Sequence, residues 1–258
     1  MHIDRANIDN LTQLWQAYGA RPLYEDAQLK LCRNVSWPSR VWADTSSPLS
    51  AKSLQKIANI TAEDAIFPLW TRSSDDSGVA SQGSIDSLLS QSPDWQLALQ
   101  HTAMKLKLSK QQLPTSEADV REPLHFERLG LEGDVMSWAA TGSRAFAYTI
   151  DENVISSLLA REDTQVLLAY NENSEPVATG LLFKTDDVVG IHQIGVPGEH
   201  QGKGYATQMM RFLIQCAEEW QADYAVLQAS ESGRPVYQKL GFVDQFLITY
   251  VQKSKTSK

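Results

Sequence analysis

The chain has 258 residues, a formal net charge of -8, 42% hydrophobic residues and 21% charged residues. This is the profile of a folded globular protein with one large domain or two small ones. An acidic chain without a Lys/Arg run is a poor non-specific ligand for nucleic acid or anionic membranes, so we expect neither partner. Two cysteines outside any CxxC pair and five scattered histidines predict no metal site. No secretion signal or membrane-spanning segment is recognisable, so we expect a cytoplasmic protein.

The predicted elements before residue 119 are short. In chain order they are a helix over 11–18, strands over 29–35 and 40–43, a helix capped by Ser50 or Ser53, a strand over 65–71, a helix over 84–90 and a strand over 95–108. Pro68 places the third of these strands at a sheet edge. Residues 73–84 read as a loop. The polar stretch 113–121 predicts a linker between domains at 1–118 and 119–258.

The pattern after the linker is clearer and ends in a strand over 246–251. It predicts a strand over 124–129, helices over 132–140 and 152–159, a hairpin over 165–170 and 177–183, a strand over 187–196, a helix from Tyr205, a strand over 224–228 and a helix over 234–240. Gly241 is expected to follow that helix as its C′ residue. The order β-α-α-β-β-β-α-β-α-β predicts an α/β protein with a mixed sheet.

One loop between a strand and a helix carries the clearest chemical signal, the segment Gln201-Gly202-Lys203-Gly204-Tyr205-Ala206. Unpaired N–H groups at a helix N-terminus, together with the helix dipole, make an anion site. The two glycines let the backbone approach a phosphate, and Lys203 adds positive charge. The loop fits neither a Walker A motif nor the G-x-G-x-x-G dinucleotide fingerprint. By itself it supports only an anion site or a tight turn.

Two motifs together resemble the GNAT superfamily of N-acetyltransferases. Gln201, Gly204 and Ala206 match its Q/R-x-x-G-x-G/A pattern, and the segment from Tyr237 to Gly241-Phe242 matches its Y-x-x-x-G-F signature. The order of elements is also similar to the GNAT fold. The resemblance covers roughly residues 119–258.

The resemblance implies an acetyl-CoA site and assigns residues to it. The main chain of Ile194, Gly195 and Val196 would meet the pantetheine arm and the acyl carbonyl, and Ser230 would lie beside that arm. The pyrophosphate would lie on the loop residues Gln201, Gly202, Lys203, Gly204, Tyr205 and Ala206.

The catalytic residues are assigned in the same way. Tyr237 would be the general acid near the CoA sulfur, although some family members work without this tyrosine. His192 is either the base that deprotonates the amine or a hydrogen-bonded structural residue. Glu199 and Glu231 are weaker alternatives for the base. Three aromatic residues, Trp138, Phe146 and Tyr148, either line the acceptor pocket or pack in the core.

These features predict direct transfer of an acetyl group from acetyl-CoA to an amine of a small molecule or peptide, by a monomer or homodimer. The alternative is a non-catalytic acyl-CoA-binding or interaction module on the same scaffold. Residues 1–118 lack both motifs. They form either a degenerate GNAT-like copy, giving a pseudo-tandem arrangement, or an unrelated α/β domain. The tryptophans Trp37 and Trp42 either line a pocket or pack under a hairpin.

Overall fold

A computed structural model gives the structure of the chain and describes residues 2–27, 29–43, 49–62, 65–70, 82–108 and 122–254. The predicted linker at 113–121 and the boundary between residues 118 and 119 lie outside the described residues. The predicted loop at 73–84 lies outside them up to residue 81.

Seven helices and eleven strands are formed by the described residues. The helices are α1 (Ile3–Ala17), α2 (Ala51–Ile60), α3 (Gln82–Ser90), α4 (Val135–Phe146), α5 (Glu152–Leu158), α6 (Tyr205–Glu219) and α7 (Arg234–Lys239). The strands are β1 (Ala20–Glu25), β2 (Lys30–Asn34), β3 (Val41–Ala43), β4 (Ile66–Trp70), β5 (Trp95–Lys107), β6 (His125–Arg128), β7 (Thr164–Tyr170), β8 (Pro176–Thr185), β9 (Val188–Gly195), β10 (Tyr224–Ala229) and β11 (Val243–Lys253). The mixed α/β class and the predicted order after residue 122 are confirmed.

Three elements differ from the prediction. Strand β1 was not predicted, because none of its residues is buried and no alternation of apolar residues marks it. Helix α1 begins at Ile3, well before the predicted start. The earlier start was not predicted because polar side chains occupy part of the buried face, which interrupts the apolar pattern. Helix α4 runs through Gly142 to Phe146. That glycine leaves room for Ile150, whose Cδ1 lies 2.7 Å from where a Cβ would stand.

Two compact units divide the chain, and the chain passes between them several times. Unit one comprises Met1–Leu14, Lys105–Leu227 and Gly233–Val243, whereas unit two comprises Trp15–Met104, Gln228–Ser232 and Asp244–Lys258.

The strands of unit one follow the order β10-β9-β8-β7-β6. The β9–β10 pair is parallel, and the pairs from β9 to β6 are antiparallel. Helix α6 buries the apolar stripe predicted from its spacing, including Met209, Leu213 and Cys216. Unit one is therefore built around the strand, loop and helix that carry the first motif.

Unit two contains strands in the order β4-β11-β5 and a separate sheet β1-β2-β3. The strand β4 lies at the edge, as Pro68 predicts, and pairs antiparallel with β11. Ser50 caps α2 by accepting a hydrogen bond from the Ser53 N–H at 3.1 Å, as one of the two predicted caps. The unit's core is apolar and includes Leu31, Leu54, Ile57, Phe67, Ile85 and Trp95.

The tryptophans of unit two pack against one another. Trp42 is buried, and its ring centroid lies 5.3 Å from that of Trp15, which also stacks on Trp70. Trp37 packs on Tyr18 with centroids 5.0 Å apart. These contacts favour the packing interpretation of this segment. Among the described helices, none has the length and hydropathy needed to cross a membrane.

Candidate functional site

A β-bulge interrupts β9 near its end, between His192 and Gly195. Leu181 of β8 pairs with His192, but Thr179 pairs with Gly195, so β9 carries one extra residue between these pairs. Gln193 adopts a φ of 53° there, which is uncommon for a residue other than glycine. The Thr179 hydroxyl donates to the Gln193 carbonyl at 2.8 Å. A buried side chain therefore satisfies the backbone group that the bulge displaces.

The opposite edge of β9 loses its partner along the same stretch. The parallel register joins Val188–Gly190 to Tyr224–Val226 and goes no further within the described strands. β9 continues to Gly195. The two strands therefore diverge after Gly190, and the main chain of the last residues of β9 is not committed to β10. This is the splayed strand that the resemblance implies.

The loop after β9 has the backbone conformation that its glycines were expected to supply. Gly202 and Gly204 have φ values of 77° and 81°, in the left-handed region. Gly204 is the N-cap residue of α6, and no side chain caps the first turn. The N–H groups of this first turn are thus left for an external acceptor, and the helix dipole favours an anion there.

Side chains hold the loop from both sides. Gln201 donates from Nε2 to the Val196 carbonyl at 3.2 Å, which ties the loop to the end of the strand. Tyr205 is buried, and its hydroxyl donates to the Glu122 carboxylate. Burial, and then the hydrogen bond to Glu122, raise the pKa of Tyr205 to about 12. Lys203 Nζ lies 3.9 Å from the same carboxylate. The Tyr205 side chain is therefore engaged with Glu122, and the Lys203 side chain is about half-exposed.

Helix α4 packs directly against the end of β9. A Cβ on Gly195 would lie 2.9 Å from Ala145 Cβ, 2.9 Å from Thr179 Oγ1 and 3.1 Å from Phe146 Cε2. Phe146 stacks on Tyr148 with ring centroids 5.5 Å apart. Only a residue without a side chain at position 195 allows α4 to approach the strand this closely.

The three aromatic residues considered for the acceptor pocket differ in burial, and only two of them lie beside the end of β9. Trp138 is fully buried, and its indole N–H donates to the Leu167 and Gly180 carbonyls at 2.9 and 3.3 Å. It is a core residue. Tyr148 is 44% exposed, and its hydroxyl lies 3.5 Å from Gln193 Oε1 on the bulge. Phe146 and Tyr148 therefore lie beside the end of β9 and remain candidates for a pocket wall.

His192 is buried one residue before the bulge. Its exposed fraction is 6%, and its Nε2 lies 3.0 Å from Oδ1 of Asn10 on α1. Asn10 is fully buried in unit one as well. The histidine thus has a defined hydrogen-bond partner, which sequence reasoning did not find.

Tyr237 lies on α7 in unit one. Its ring packs edge-on against Phe242 with centroids 6.1 Å apart, and its carbonyl accepts from the Leu240 and Phe242 N–H groups at 3.0 Å. The second motif is thus one turn anchored on the tyrosine backbone. Burial raises the pKa of the Tyr237 hydroxyl to about 12, so it stays protonated at neutral pH.

The other residues assigned by the resemblance are exposed. Ser230 and Glu231 belong to unit two, where the Ser230 and Ser232 hydroxyls lie 3.2 Å apart. Glu199 forms an ion pair with Arg144 at 3.0 Å. The Arg144 guanidinium thus occupies the Glu199 carboxylate, and Glu199 remains the weaker candidate for a base.

Four residues near the site were missed: Asn10, Glu122, Thr179 and Gln193. Asn10 and Glu122 act through contacts with residues far away in sequence, which no local pattern reveals. Thr179 and Gln193 belong to the bulge, and a bulge leaves no regular signature in a strand.

Residues 134–242 match the model of the Acetyltransferase (GNAT) family. A GCN5-related N-acetyltransferase from Kribbella flavida is similar over 96% of this chain and 94% of its own, with 16% identity and a TM-score of 0.65. One from Sphaerobacter thermophilus has 16% identity and a TM-score of 0.59, covering 78% of this chain and 64% of its own. A tandem GNAT protein from the clavulanic acid biosynthesis pathway has 11% identity and a TM-score of 0.52, covering 89% of this chain and 79% of its own.

These likenesses show that most of the chain has a GNAT-type fold and that tandem GNAT proteins are among its structural neighbours. No curated protein matches the sequence at a significant level.

The packing at the end of β9 predicts the effect of two glycine substitutions. We expect Gly195→Ala to lower the melting temperature by several degrees, because the new Cβ would lie 2.9 Å from Ala145 and Thr179. Gly198→Ala is the matched control, since a Cβ there meets nothing within 4 Å. Differential scanning calorimetry of both variants measures the effect. Equal melting temperatures for Gly195→Ala and Gly198→Ala would show that α4 does not pack against the strand as described.

Proposed function

We propose that this protein transfers an acetyl group from acetyl-CoA to an amine by direct attack in a ternary complex. The match of residues 134–242 to the Acetyltransferase (GNAT) family model supports the proposal. The observation that carries the proposal is the end of β9, which no longer pairs with β10, followed by a helix N-terminus without a side-chain cap. A thioester arm and a pyrophosphate need these two kinds of backbone donor, in this order along the chain.

The cofactor contacts follow the main chain. Ile194, Gly195 and Val196 would meet the pantetheine arm as a neighbouring strand would, because β10 has diverged from this edge. The pyrophosphate would accept hydrogen bonds from the N–H groups of the loop between Gln201 and Ala206. Lys203 would contribute a positive charge near it.

Acyl transfer asks three things of the site. The amine must lose a proton before it attacks, since an ammonium group has no lone pair. Attack of the amine forms the carbon–nitrogen bond and leaves negative charge on the carbonyl oxygen, and we assign the Val196 N–H as the donor to this oxyanion. Collapse of the tetrahedral intermediate restores the carbonyl and breaks the carbon–sulfur bond. The departing CoA thiolate, with a parent pKa of about 8.5, then takes a proton, and no covalent acyl-enzyme is required.

We assign Tyr237 as the residue that donates a proton to the departing thiolate. A hydroxyl with a pKa of about 12 is a weaker acid than the thiol that it would protonate. Complete proton transfer is therefore uphill, and the main contribution of Tyr237 is a hydrogen bond that stabilises negative charge developing on sulfur.

We assign the base to His192. It lies on β9 directly before the bulge, where it pairs with Leu181 of β8, and in the neutral state it can accept a proton. Its burial keeps bulk water from solvating the imidazolium, so an exchangeable water or the amine itself must reach the ring. The acceptor is an amine on a small molecule or peptide, and a screen of amines for CoA release would identify it.

Activity and binding are measured together to test the proposal. Purified protein is titrated with acetyl-CoA in a calorimeter, and CoA release is followed with a thiol reagent across a panel of amines, amino acids and peptides. We expect binding, and CoA release that depends on one class of acceptor. Binding without release for any acceptor favours the non-catalytic module, and absence of binding overturns both.

The loop conformation predicts a selective loss of cofactor binding in Gly202→Ala. Forcing alanine to a φ of 77° costs about 1 kcal/mol or shifts the loop, and the N–H groups then lose their alignment. We expect the Kd for acetyl-CoA to rise about tenfold. Gly19→Ala is the matched control, because Gly19 has a φ of 85° in unit two and also meets nothing within 4 Å. An equal change in Kd for both variants contradicts the assigned role of the loop.

Tyr237→Phe separates the hydrogen bond to sulfur from packing. We expect kcat to fall about 100-fold while the Kd for acetyl-CoA changes little, because the ring is retained. With a pKa raised to about 12, the hydroxyl stays protonated between about pH 6 and about pH 10, so no alkaline limb below about pH 10 belongs to it. Steady-state kinetics across this range provide the check. An unchanged kcat removes Tyr237 from the mechanism.

A further inference from the structure

Helix α1 places three polar side chains on its buried face within unit one. Asp4, Asn7 and Asn10 are 8%, 1% and 0% exposed, and they follow one another at intervals of three residues. Buried polar side chains are costly unless they are hydrogen-bonded. Asn10, in the middle of this helix, contacts the strands β8 and β9.

The orientation of the Asn10 amide is fixed by its partners. One atom of the amide lies 2.9 Å from the Phe183 carbonyl oxygen, which can only accept a hydrogen bond. That atom must therefore be the NH₂ group, which also lies 2.9 Å from Thr185 Oγ1. The amide oxygen consequently points the other way, towards His192.

This orientation determines which nitrogen of His192 carries a hydrogen. An amide oxygen has no hydrogen to give, so Nε2 must be the donor in the 3.0 Å contact with Asn10. In a neutral imidazole the lone pair then lies on Nδ1. The contact with Asn10 thus selects one of the two neutral tautomers.

The backbone provides space for this pair. A Cβ on Gly190 would lie 1.9 Å from Asn10 Oδ1 and 2.2 Å from His192 Nε2. Gly190 and His192 share one face of β9, since side chains two residues apart point to the same side of a strand. Any larger residue at position 190 would therefore displace the pair.

We propose that Asn10 is a positioning residue for His192, which holds the ring as the Nε2–H tautomer so that Nδ1 is the nitrogen that accepts the proton of the amine. The catalytic part of this inference rests on the proposed function, whereas the tautomer does not. When Nδ1 gains a proton, Nε2 keeps its own. The bond to Asn10 therefore persists in both protonation states and the ring need not turn.

A neutral amide suits this role better than a carboxylate. A buried carboxylate at position 10 would stabilise the imidazolium and raise the pKa of His192, which would make it slow to release its proton. Asn10 fixes the orientation of the ring without that charge. An uncharged amide at position 10 therefore suits a base that must gain and release a proton in each turnover.

Nitrogen-15 NMR of the whole protein tests the tautomer without any activity assay. Long-range proton–nitrogen correlations distinguish the two tautomers, and the His192 signals are assigned by their loss in His192→Asn. The spectra are recorded at a pH where the ring is neutral, and we expect the Nε2–H pattern in the wild type and mixed tautomers in Asn10→Ala. A wild-type Nδ1–H tautomer overturns the inference, and this outcome needs no variant to fold. Thr12→Val, on the same helix, is the control and should keep the wild-type pattern. Thr12 hydrogen-bonds only to carbonyls of α1 among its described partners.

Kinetics then test whether the tautomer matters for transfer. For Asn10→Ala we expect kcat to fall about tenfold to 100-fold, with the Kd for acetyl-CoA within about twofold of the wild type. Asn10→Asp should move the acidic limb of the kcat profile to higher pH, an effect that a purely structural role would not produce. A lost tautomer preference with unchanged kcat overturns the positioning role. If the wild type turns over no acceptor, the proposed function fails, and the NMR result alone decides the Asn10–His192 assignment.

Discussion

The arrangement of unit one depends on one backbone constraint: after Gly190, β9 no longer pairs with β10, and β8 is its one remaining strand partner among the described strands. A bulge interrupts the strand at Gln193. The Gln193 carbonyl accepts a hydrogen bond from the Thr179 hydroxyl in place of a backbone partner. α4 reaches the strand because Gly195 has no side chain. Backbone groups are costly to leave unpaired in a core, so the edge of β9 that no longer pairs with β10 is the proposed place for hydrogen bonds to a ligand.

The electrostatics of the loop are compatible with the proposed polyanion site in a chain with a net charge of -8. Two of the carboxylates near the loop have side-chain partners. Glu199 pairs with Arg144, and Glu122 accepts from Tyr205 and lies near Lys203. The proposed pyrophosphate site would then consist of the positive end of α6 and the backbone of two glycines in the left-handed region. Local dipoles act over a few ångströms, whereas the net charge is screened over about 10 Å, so the two are compatible.

Sequence patterns predicted the features that local chemistry determines. The amphipathic face of α6, the Ser50 cap, the edge position of Pro68 and the glycine conformations at 202 and 204 each follow from the residue itself and its near neighbours. The patterns failed where a distant partner decides. Strand β1 is held by pairing to β2 and buries none of its side chains. Helix α1 buries polar residues that contact other elements. Trp138, proposed for either a pocket or the core, is placed in the core by carbonyls of β7 and β8.

The contact between Asn10 and His192 shows what these failures have in common. It joins residues 182 positions apart and lies outside the segment that matches the family model, residues 134–242. Unit one nevertheless includes Met1–Leu14, so the beginning of the chain completes the surroundings of the strand that carries the histidine. Without α1, the His192 ring would lose the acceptor at Nε2, and the Phe183 carbonyl would lose its side-chain donor. The family domain alone is therefore not the physical unit in which the chemistry of His192 is set, and the orientation of that ring is a property that the first helix contributes.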